Sequence, residues 1–169
     1  MTPHQPSYAQ VRELPAALEQ TVPEEYCDAN GHMNVRSYLG LHDDSSWRYF
    51  GGMGFGEAYI RHERRSFFDL EQHLRYFDEV LVGETVSLHW RLLERSVKVV
   101  HAMSFMVNVT REKLANTFEV TTAHIDLDAR RTTPFEGPTA HALDRQIAID
   151  SRLRWDAPVC GALGVRPDR

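Results

Sequence analysis

The sequence predicts an α+β fold in which one antiparallel sheet wraps around a single long central helix. A helical pattern of apolar residues covers residues 35–53, and residues 66–127 are then rich in Val, Thr, Phe and Leu with only short breaks. These breaks are two to six residues long, which is too short for parallel crossovers and indicates antiparallel neighbours. One apolar helix and one sheet must bury their apolar faces against each other.

Length and composition suit one globular domain with short terminal extensions. The chain has 169 residues, of which 42% are hydrophobic and 25% charged, and its formal net charge is −5. This composition excludes a disordered chain, and the negative charge argues against a dedicated nucleic-acid binder. No apolar run is long enough to cross a membrane, and no signal-peptide pattern is present. Two cysteines cannot form a disulfide framework, so we expect a cytoplasmic protein.

The first elements are read from turn residues and apolar spacing. Residues 19–26 fit a short strand that Pro23 restricts to an edge or irregular position. Residues 35–53 fit the long helix, which Gly51 and Gly52 should end. The expected organisation is a loosely structured lead-in over residues 1–18, one domain over 19–149 and a loop-like tail over 150–169.

The later elements form an antiparallel meander. A short helical turn is expected at residues 55–62 and a closing helix at 142–149. Three or four long strands are expected, within residues 66–77, 84–94, 97–109 and 114–127. Such a sheet leaves an open edge, which invites pairing with a second copy of the chain.

The first of these strands alternates between polar and apolar residues. Period two places its polar residues on one face, namely Asp69, Glu71, His73 and Arg75. The same period places its apolar residues on the other face, namely Phe68, Leu70, Leu74 and Tyr76. A solvent-exposed face is the usual reason for such alternation.

Chemically useful groups concentrate immediately before the long helix, in the segment Asp28-Ala29-Asn30-Gly31-His32-Met33-Asn34. It combines one carboxylate, one imidazole and two amides with a glycine. A purely structural interpretation is also open, because Asn30-Gly31 is a strong turn signal and Asn34 could cap the helix.

This segment, with Tyr38 four residues further on, resembles the signature of the 4-hydroxybenzoyl-CoA-thioesterase-like family of hotdog-fold proteins. A second match is Glu71-Gln72-His73-Leu74-Arg75-Tyr76-Phe77-Asp78-Glu79-Val80 with Gly83, and a third leads from Leu114-Ala115 to His124-Ile125-Asp126-Leu127. The similarity covers roughly residues 19–149. It looks closest to bacterial acyl-CoA thioesterases that include betainyl-CoA thioesterase domains.

The resemblance implies a hotdog fold, an acyl-CoA substrate and hydrolysis to a free acid and CoA. Asp28 would attack the thioester carbonyl or activate a water molecule. The backbone amide of Val35, in the first helical turn, would polarise the carbonyl oxygen. His32 would either line the site or brace the loop. The expected assembly is a homodimer or a dimer of dimers with sites at the interface, without a cofactor.

Further substrate contacts are expected around this centre. The candidates for contacting or positioning the substrate are Asn30, Gly31, Asn34, Tyr38, Glu71 and His73. The candidates for holding CoA phosphates form two clusters, Arg61, Arg64 and Arg65 in one and Arg130 and Arg131 in the other, with Arg152 and Arg154 as a third possibility. The size of the acyl pocket should depend on the packing of Phe55, Phe67, Phe68, Trp90 and Met103.

Two departures from related patterns leave alternatives open. Many relatives carry an acidic residue two positions before the catalytic Asp, where this chain has Tyr26. Another thioesterase branch uses Asn, His and a downstream Cys, which Asn30, His32 and Cys160 could supply. No metal site is expected, because no His or Cys pair has ligand spacing. Two other functions remain, a non-catalytic acyl-CoA-binding module and a hotdog hydratase or dehydratase.

Overall fold

A six-stranded antiparallel sheet forms the framework of the protein. The structure, a computed structural model, describes residues 5–165. The strands are β1 (Ala16–Thr21), β2 (Arg65–Tyr76), β3 (Thr85–Arg95), β4 (Val99–Asn108), β5 (Lys113–Asp126) and β6 (Arg131–Thr132). The helices are α1 (Tyr8–Val11), α2 (Val35–Phe50), α3 (Glu57–Glu63) and α4 (Gly137–Asp150). The spatial order is β1-β3-β4-β5-β2, with β6 paired to β5.

The inner face of the sheet packs against α2. Trp90, Leu92 and Phe118 from the sheet meet Phe50 at one end of α2, and Leu88 and Met106 meet Leu41 toward the other end. All of these side chains are buried. The predicted α+β architecture, a sheet around one long helix, is therefore confirmed.

The long helix α2 is apolar on more than one side. Its buried residues are Tyr38, Leu41, His42, Ser45 and Phe50. By contrast, Val35 is 58% exposed and Leu39 is 38% exposed. The helix therefore carries two apolar faces, one against the sheet and one facing outward.

The α-helix ends where Gly51 and Gly52 were predicted to end it, with Phe50 as its last residue and Gly51 as its C-cap. A π-helical turn, Gly51–Phe55, then leads toward α3. Gly54 adopts φ of 97° in this turn, a value that glycine reaches without steric cost. The predicted helical turn at 55–62 is confirmed as α3, and the closing helix is longer than expected because Pro138 suits its first turn.

The first strand lies earlier in the chain than predicted. It begins at Ala16, because Leu18 is buried against β3, and it ends before Pro23. Residues Glu24–Tyr26 form a 3₁₀ turn rather than part of the strand.

Segments near both ends of the described residues pack on the outer face of the sheet. Val11 and Leu14 from the N-terminal segment, and Trp155 from the tail, form a buried cluster with Met103 and Phe105. The expectation of a loose lead-in was wrong for residues 8–14, whose apolar side chains cover the sheet. Met103, considered for the acyl pocket, lies in this outer cluster instead.

Strand β2 contains a bulge that changes which residues share a face. Asp69 pairs with Thr122 and Glu71 pairs with Thr121, so Leu70 is an extra residue. Because side chains alternate across a strand, the bulge places Asp69 on the opposite face from Glu71. The prediction that Asp69 shares a face with Glu71, His73 and Arg75 was therefore wrong.

Candidate active site

The loop before α2 folds back on itself and presents Asp28. A β-bridge joins Cys27 and Met33 at its base. Within the loop, the amide of Gly31 donates to the carbonyl of Asp28 at 2.9 Å. Gly31 has φ of 81°, so this tight turn favours glycine. The turn interpretation of this segment is therefore confirmed, and the site interpretation stays a prediction.

Two donors hold the Asp28 carboxylate. Oδ1 accepts from the Asn30 backbone amide at 2.9 Å, and Oδ2 accepts from Asn34 Nδ2 at 2.7 Å. These hydrogen bonds, first that of Asn34 and then that of Asn30, lower the pKa of Asp28, with a further contribution from His32. Hydrogen bonds to the charged form favour ionisation. The carboxylate is therefore fixed in orientation and ionised at neutral pH.

The N-terminus of α2 lies immediately beyond this carboxylate. Asn34 is the N-cap, and its Oδ1 accepts from the Arg36 amide at 3.0 Å. Its own backbone amide donates to Tyr26 at 2.8 Å. Among residues 5–165, the amide of Val35 has no hydrogen-bond acceptor. A free amide at the positive end of a helix can bind an oxyanion.

A small cavity of about 410 Å³ opens beside this helix end. Its lining includes His32, Val35, Tyr38, Tyr76 and Asp78. Tyr38 packs edge-on against Tyr76 with ring centroids 5.2 Å apart, and its hydroxyl donates to the Asp78 carbonyl at 3.5 Å. Burial raises the pKa of Tyr38 to about 12, so its hydroxyl stays protonated at neutral pH.

A larger cavity of about 650 Å³ lies between α2 and β2. Aromatic side chains dominate its wall, namely Trp47, Phe50, Phe55, Phe67, Phe68, Trp90 and Phe118. Its polar lining includes Arg36, His42, Asp43, Asp69 and Gln72. Burial first, and then the nearby Asp44 and Asp69, raise the pKa of Asp43.

A family model, that of the thioesterase-like superfamily, matches residues 22–143. The chain belongs to this superfamily. Its sheet curled around a long helix is the hotdog fold of these proteins, as the resemblance predicted. In the described residues 5–165, no helix is both long and apolar enough to cross a membrane.

Curated relatives include betainyl-CoA thioesterases. The betainyl-CoA thioesterase of Pseudomonas aeruginosa is 28% identical over 151 residues, covering 89% of this chain and 95% of that protein. The L-carnitine dehydrogenase/betainyl-CoA thioesterase of Ruegeria pomeroyi is 30% identical over 114 residues, covering 68% of this chain and 23% of that protein. The chain thus spans about a quarter of the length of three such dehydrogenase/thioesterase relatives.

Among solved structures, a Staphylococcus aureus protein studied in complex with CoA superimposes with a TM-score of 0.80. The two sequences are 20% identical, and the match covers 90% of this chain and 97% of that one. At this identity the likeness shows the shared fold.

The thioesterase-like fold brings together the predicted residues of the 28–34 loop and α2. His32 Nδ1 donates to the Met33 carbonyl at 3.2 Å, and the His32 ring lines the small cavity. Glu71 and His73 are not brought to this loop within one chain. They pair with Thr121 and Glu119 on the sheet face that points away from α2. Cys160 also lies on that face, because its amide donates to Glu119 at 2.7 Å.

The two arginine clusters meet at one corner of the molecule. Asp126 pairs with Arg65 on one side and with Arg131 on the other. Arg64 forms an ion pair with Asp128 at 3.1 Å, and Arg65 one with Glu136 at 3.5 Å. This corner is at the start of β2, whereas the small cavity lies at its other end.

Several cavity residues were not singled out from the sequence. Tyr76 and Asp78 occur within the second matching segment, but only the fold places them beside Tyr38. Asp43 and Asp69 face the larger cavity from α2 and β2. The available signal in the sequence was a polar residue at an otherwise apolar position. The bulge at Leu70 concealed this signal for Asp69, because it places Asp69 on the opposite face from the one predicted.

Proposed function

We propose that the chain hydrolyses acyl-CoA thioesters to a free acid and CoA, with Asp28 as the reacting carboxylate. The supporting observation is the doubly held Asp28 carboxylate next to the free Val35 amide. A thioesterase needs a nucleophile or base on one side of the carbonyl and a donor on its oxygen. This helix entrance offers both.

In the reaction, the thioester oxygen accepts from the Val35 amide while the α2 dipole stabilises the developing negative charge. Asp28 either attacks the carbonyl carbon, giving a mixed anhydride and CoA thiolate, or takes a proton from an attacking water. In the first case, water then hydrolyses the anhydride and releases the free acid. In both cases, Asn34 and Asn30 keep the Asp28 carboxylate oriented.

The decisive experiment measures thiol release from acyl-CoAs by the wild type, Asp28→Asn and Asp44→Asn. We expect Asp28→Asn to lower kcat at least about a hundredfold, since this is a typical acid-base contribution. Asp44 is exposed on α2 and lines neither cavity, so its variant is the matched control. Full turnover by Asp28→Asn would contradict the assignment. A change at the enoyl or hydroxyacyl carbon with the thioester intact, and so without thiol release, would instead indicate hydratase or dehydratase chemistry.

We further propose that the acyl group is cationic. The curated relatives above are named for betainyl-CoA, whose acyl group carries a quaternary ammonium. Aromatic faces attract such cations, and the small cavity that contains Val35 is lined by Tyr38 and Tyr76, with Glu79 adding negative charge.

Betainyl-CoA and its neutral isostere 3,3-dimethylbutanoyl-CoA test this directly, because they differ only in replacing nitrogen by carbon. We expect kcat/KM to favour betainyl-CoA by at least about tenfold, as a desolvated cation–π contact of about 2 kcal/mol would allow. Glu79→Gln, in the wall of the small cavity, should reduce this preference. Equal kcat/KM values for the two substrates would exclude cation selection while leaving thioester hydrolysis intact.

We propose that the active form contains two copies of the chain. The outward apolar face of α2 and the edge strand β2 expose a contiguous set of large side chains, Val35, Leu39, Trp47, Phe68, Leu70 and Tyr76. In a two-fold symmetric contact, β2 of one chain would pair in antiparallel orientation with β2 of the second chain. This arrangement would bring the partner's start of β2, with its arginine corner, toward the Asp28 loop, where CoA phosphates need cations.

An acyl-CoA substrate agrees with a cytoplasmic location. Cys27 and Cys160 are both free thiols, as is usual in a reducing compartment.

A further inference from the structure

A cluster of potential metal ligands lies on the outer face of the sheet, on the side away from α2. His73 on β2 is the cross-strand neighbour of Glu119 on β5. His101 on β4 donates from Nε2 to Glu119 Oε1 at 2.9 Å. Donor atoms of His73, Glu119 and Cys160 all lie within 4.8 Å of one another. Glu119 is buried at 1% exposure, whereas His73 and Cys160 are half-buried.

The C-terminal tail supplies the thiol and is fixed over the cluster. The Cys160 amide donates to Glu119 Oε2 at 2.7 Å, and the Val165 amide donates to Glu94 Oε1 at 3.0 Å. The Ala162 amide points at Cys160 Sγ from 3.4 Å. The tail therefore holds the Cys160 thiol beside Glu119 on the outer face of the sheet.

The Glu119 carboxylate is fixed in orientation. Its Oε1 accepts from His101 Nε2 at 2.9 Å and its Oε2 accepts from the Cys160 amide at 2.7 Å. Among residues 5–165, the ring of His73 makes no hydrogen bond, so its nitrogen is available.

We propose that His73, Glu119 and Cys160 bind one divalent d-block cation of the Zn²⁺ type. The set of nitrogen, oxygen and sulfur donors matches the ligands that Zn²⁺ takes in proteins. Ligands at about 2.0–2.3 Å from a zinc ion lie about 3.3–3.8 Å from one another. The three donor atoms here lie within 4.8 Å of one another, so small side-chain rotations complete the site. His101 remains the outer partner of Glu119 and orients it.

The two positive charges of the ion are balanced by the Cys160 thiolate and the Glu119 carboxylate. The Cys160 thiol releases its proton to solvent, the His73 ring binds as the neutral imidazole, and water takes the remaining position. The ion would join β2, β5 and the tail, which are distant in the sequence. Sequence spacing showed no ligand pair for this reason, and the expectation of no metal site rested on spacing alone.

The test uses the full, tag-free chain, reduced and stripped of metal with a chelator. We expect one Zn²⁺ per chain in equilibrium dialysis and a rise of Tm on Zn²⁺ addition. With Co²⁺ as probe, we expect a thiolate-to-cobalt charge-transfer absorption band. Cys160→Ser should abolish the band and His73→Gln should weaken metal binding at least about tenfold.

Cys27→Ser is the matched control, because Cys27 is the other free, half-buried cysteine and lies in the Asp28 loop. Its cobalt band should equal that of the wild type. If Cys160→Ser does not fold, His73→Gln decides, since its ring makes no hydrogen bond to the described chain. Lack of stoichiometric Zn²⁺ binding, or unchanged binding in His73→Gln, would overturn the proposal. Neither result depends on thioesterase turnover.

Discussion

At the scale of single residues, the amide side chain of Asn34 both caps α2 and holds the Asp28 carboxylate. Its Oδ1 caps α2 through the Arg36 amide, and its Nδ2 donates to Asp28. Folding of the helix and orientation of the Asp28 carboxylate are therefore linked at this residue. A change that keeps the cap but removes the donor separates the two roles.

Asn34→Ser is such a change, because a serine hydroxyl also accepts at an N-cap. Loss of the Nδ2 donor should raise the pKa of Asp28, since that hydrogen bond is the largest cause of its lowering. The acid limb of kcat/KM should then move to higher pH, while the wild type keeps its activity to lower pH. Near-UV circular dichroism at each pH controls for unfolding. An unmoved acid limb would contradict the proposed role of Asn34.

His42 makes the stability of the fold depend on pH. It lies fully buried between α2 and the sheet, with Nδ1 2.9 Å from Ser104 Oγ and with Asn116 on its other nitrogen. Burial lowers the pKa of His42 to about 4. The unfolded chain, with an ordinary histidine pKa of about 6.5, takes up a proton before the folded chain does. Stability is therefore fully present above pH 6.5 and is lost as the pH falls toward 4.

We expect His42 to account for about 2 kcal/mol of the stability lost between pH 7 and pH 5, from the linkage of about 1.36 kcal/mol per pKa unit. Urea unfolding of the wild type and His42→Gln at both pH values measures this. The variant is less stable at pH 7, but its stability should fall less on acidification. Equal losses in the two proteins would show that other groups control the acid sensitivity.

At the scale of elements, the turn after α2 sets where the helix ends and α3 begins. Gly52 and Gly54 both lie in this π-helical turn, and a Cβ on either would meet no atom within 4 Å. They differ in backbone conformation, because only Gly54 has a positive φ, at 97°.

Gly54→Ala should therefore destabilise the protein by about 1–2 kcal/mol through backbone strain alone. Gly52→Ala is the matched control and should be neutral or slightly stabilising, because alanine restricts the unfolded chain. The two urea midpoints, compared with the wild type, measure the difference. Equal destabilisation in both variants would point to packing rather than φ as the cause.

The sequence predicts regular elements better than their irregularities. Periodicity predicted α2 and the four long strands, because burial of one face imposes that pattern. It could not predict the bulge at Leu70, since one extra residue leaves the composition unchanged while reversing the faces beyond it. The Asp28 loop was recognisable because its residues are contiguous. The cavity walls were not, because Tyr76 and Asp78 reach Tyr38 only through the fold.

At the scale of the whole molecule, one side of the protein remains apolar and uncovered. Phe68 is 64% exposed on β2 and Trp47 is 51% exposed on α2. Edge strands with exposed apolar side chains pair with other chains unless something covers them. A second copy would cover both side chains in one contact.

We expect the wild type to be at least dimeric by multi-angle light scattering and Phe68→Asp to shift toward the monomer with reduced thiol release. Ile149→Asp is the control, because Ile149 is 56% exposed on α4, outside this apolar side. It should remain dimeric. A monomeric and fully active wild type at micromolar concentration would contradict the proposed assembly.

The segments around Val11, Leu14 and Trp155, which cover part of the outer face of the sheet, also limit which larger assemblies can form. Met103 and Phe105 are already buried under Val11, Leu14 and Trp155, so two dimers cannot stack sheet against sheet without displacing those segments. Any tetramer must use another surface. For the same reason, a chain truncated after residue 150 would lose Trp155 and expose the apolar side chains of Met103 and Phe105. Such a truncated chain should be prone to aggregate.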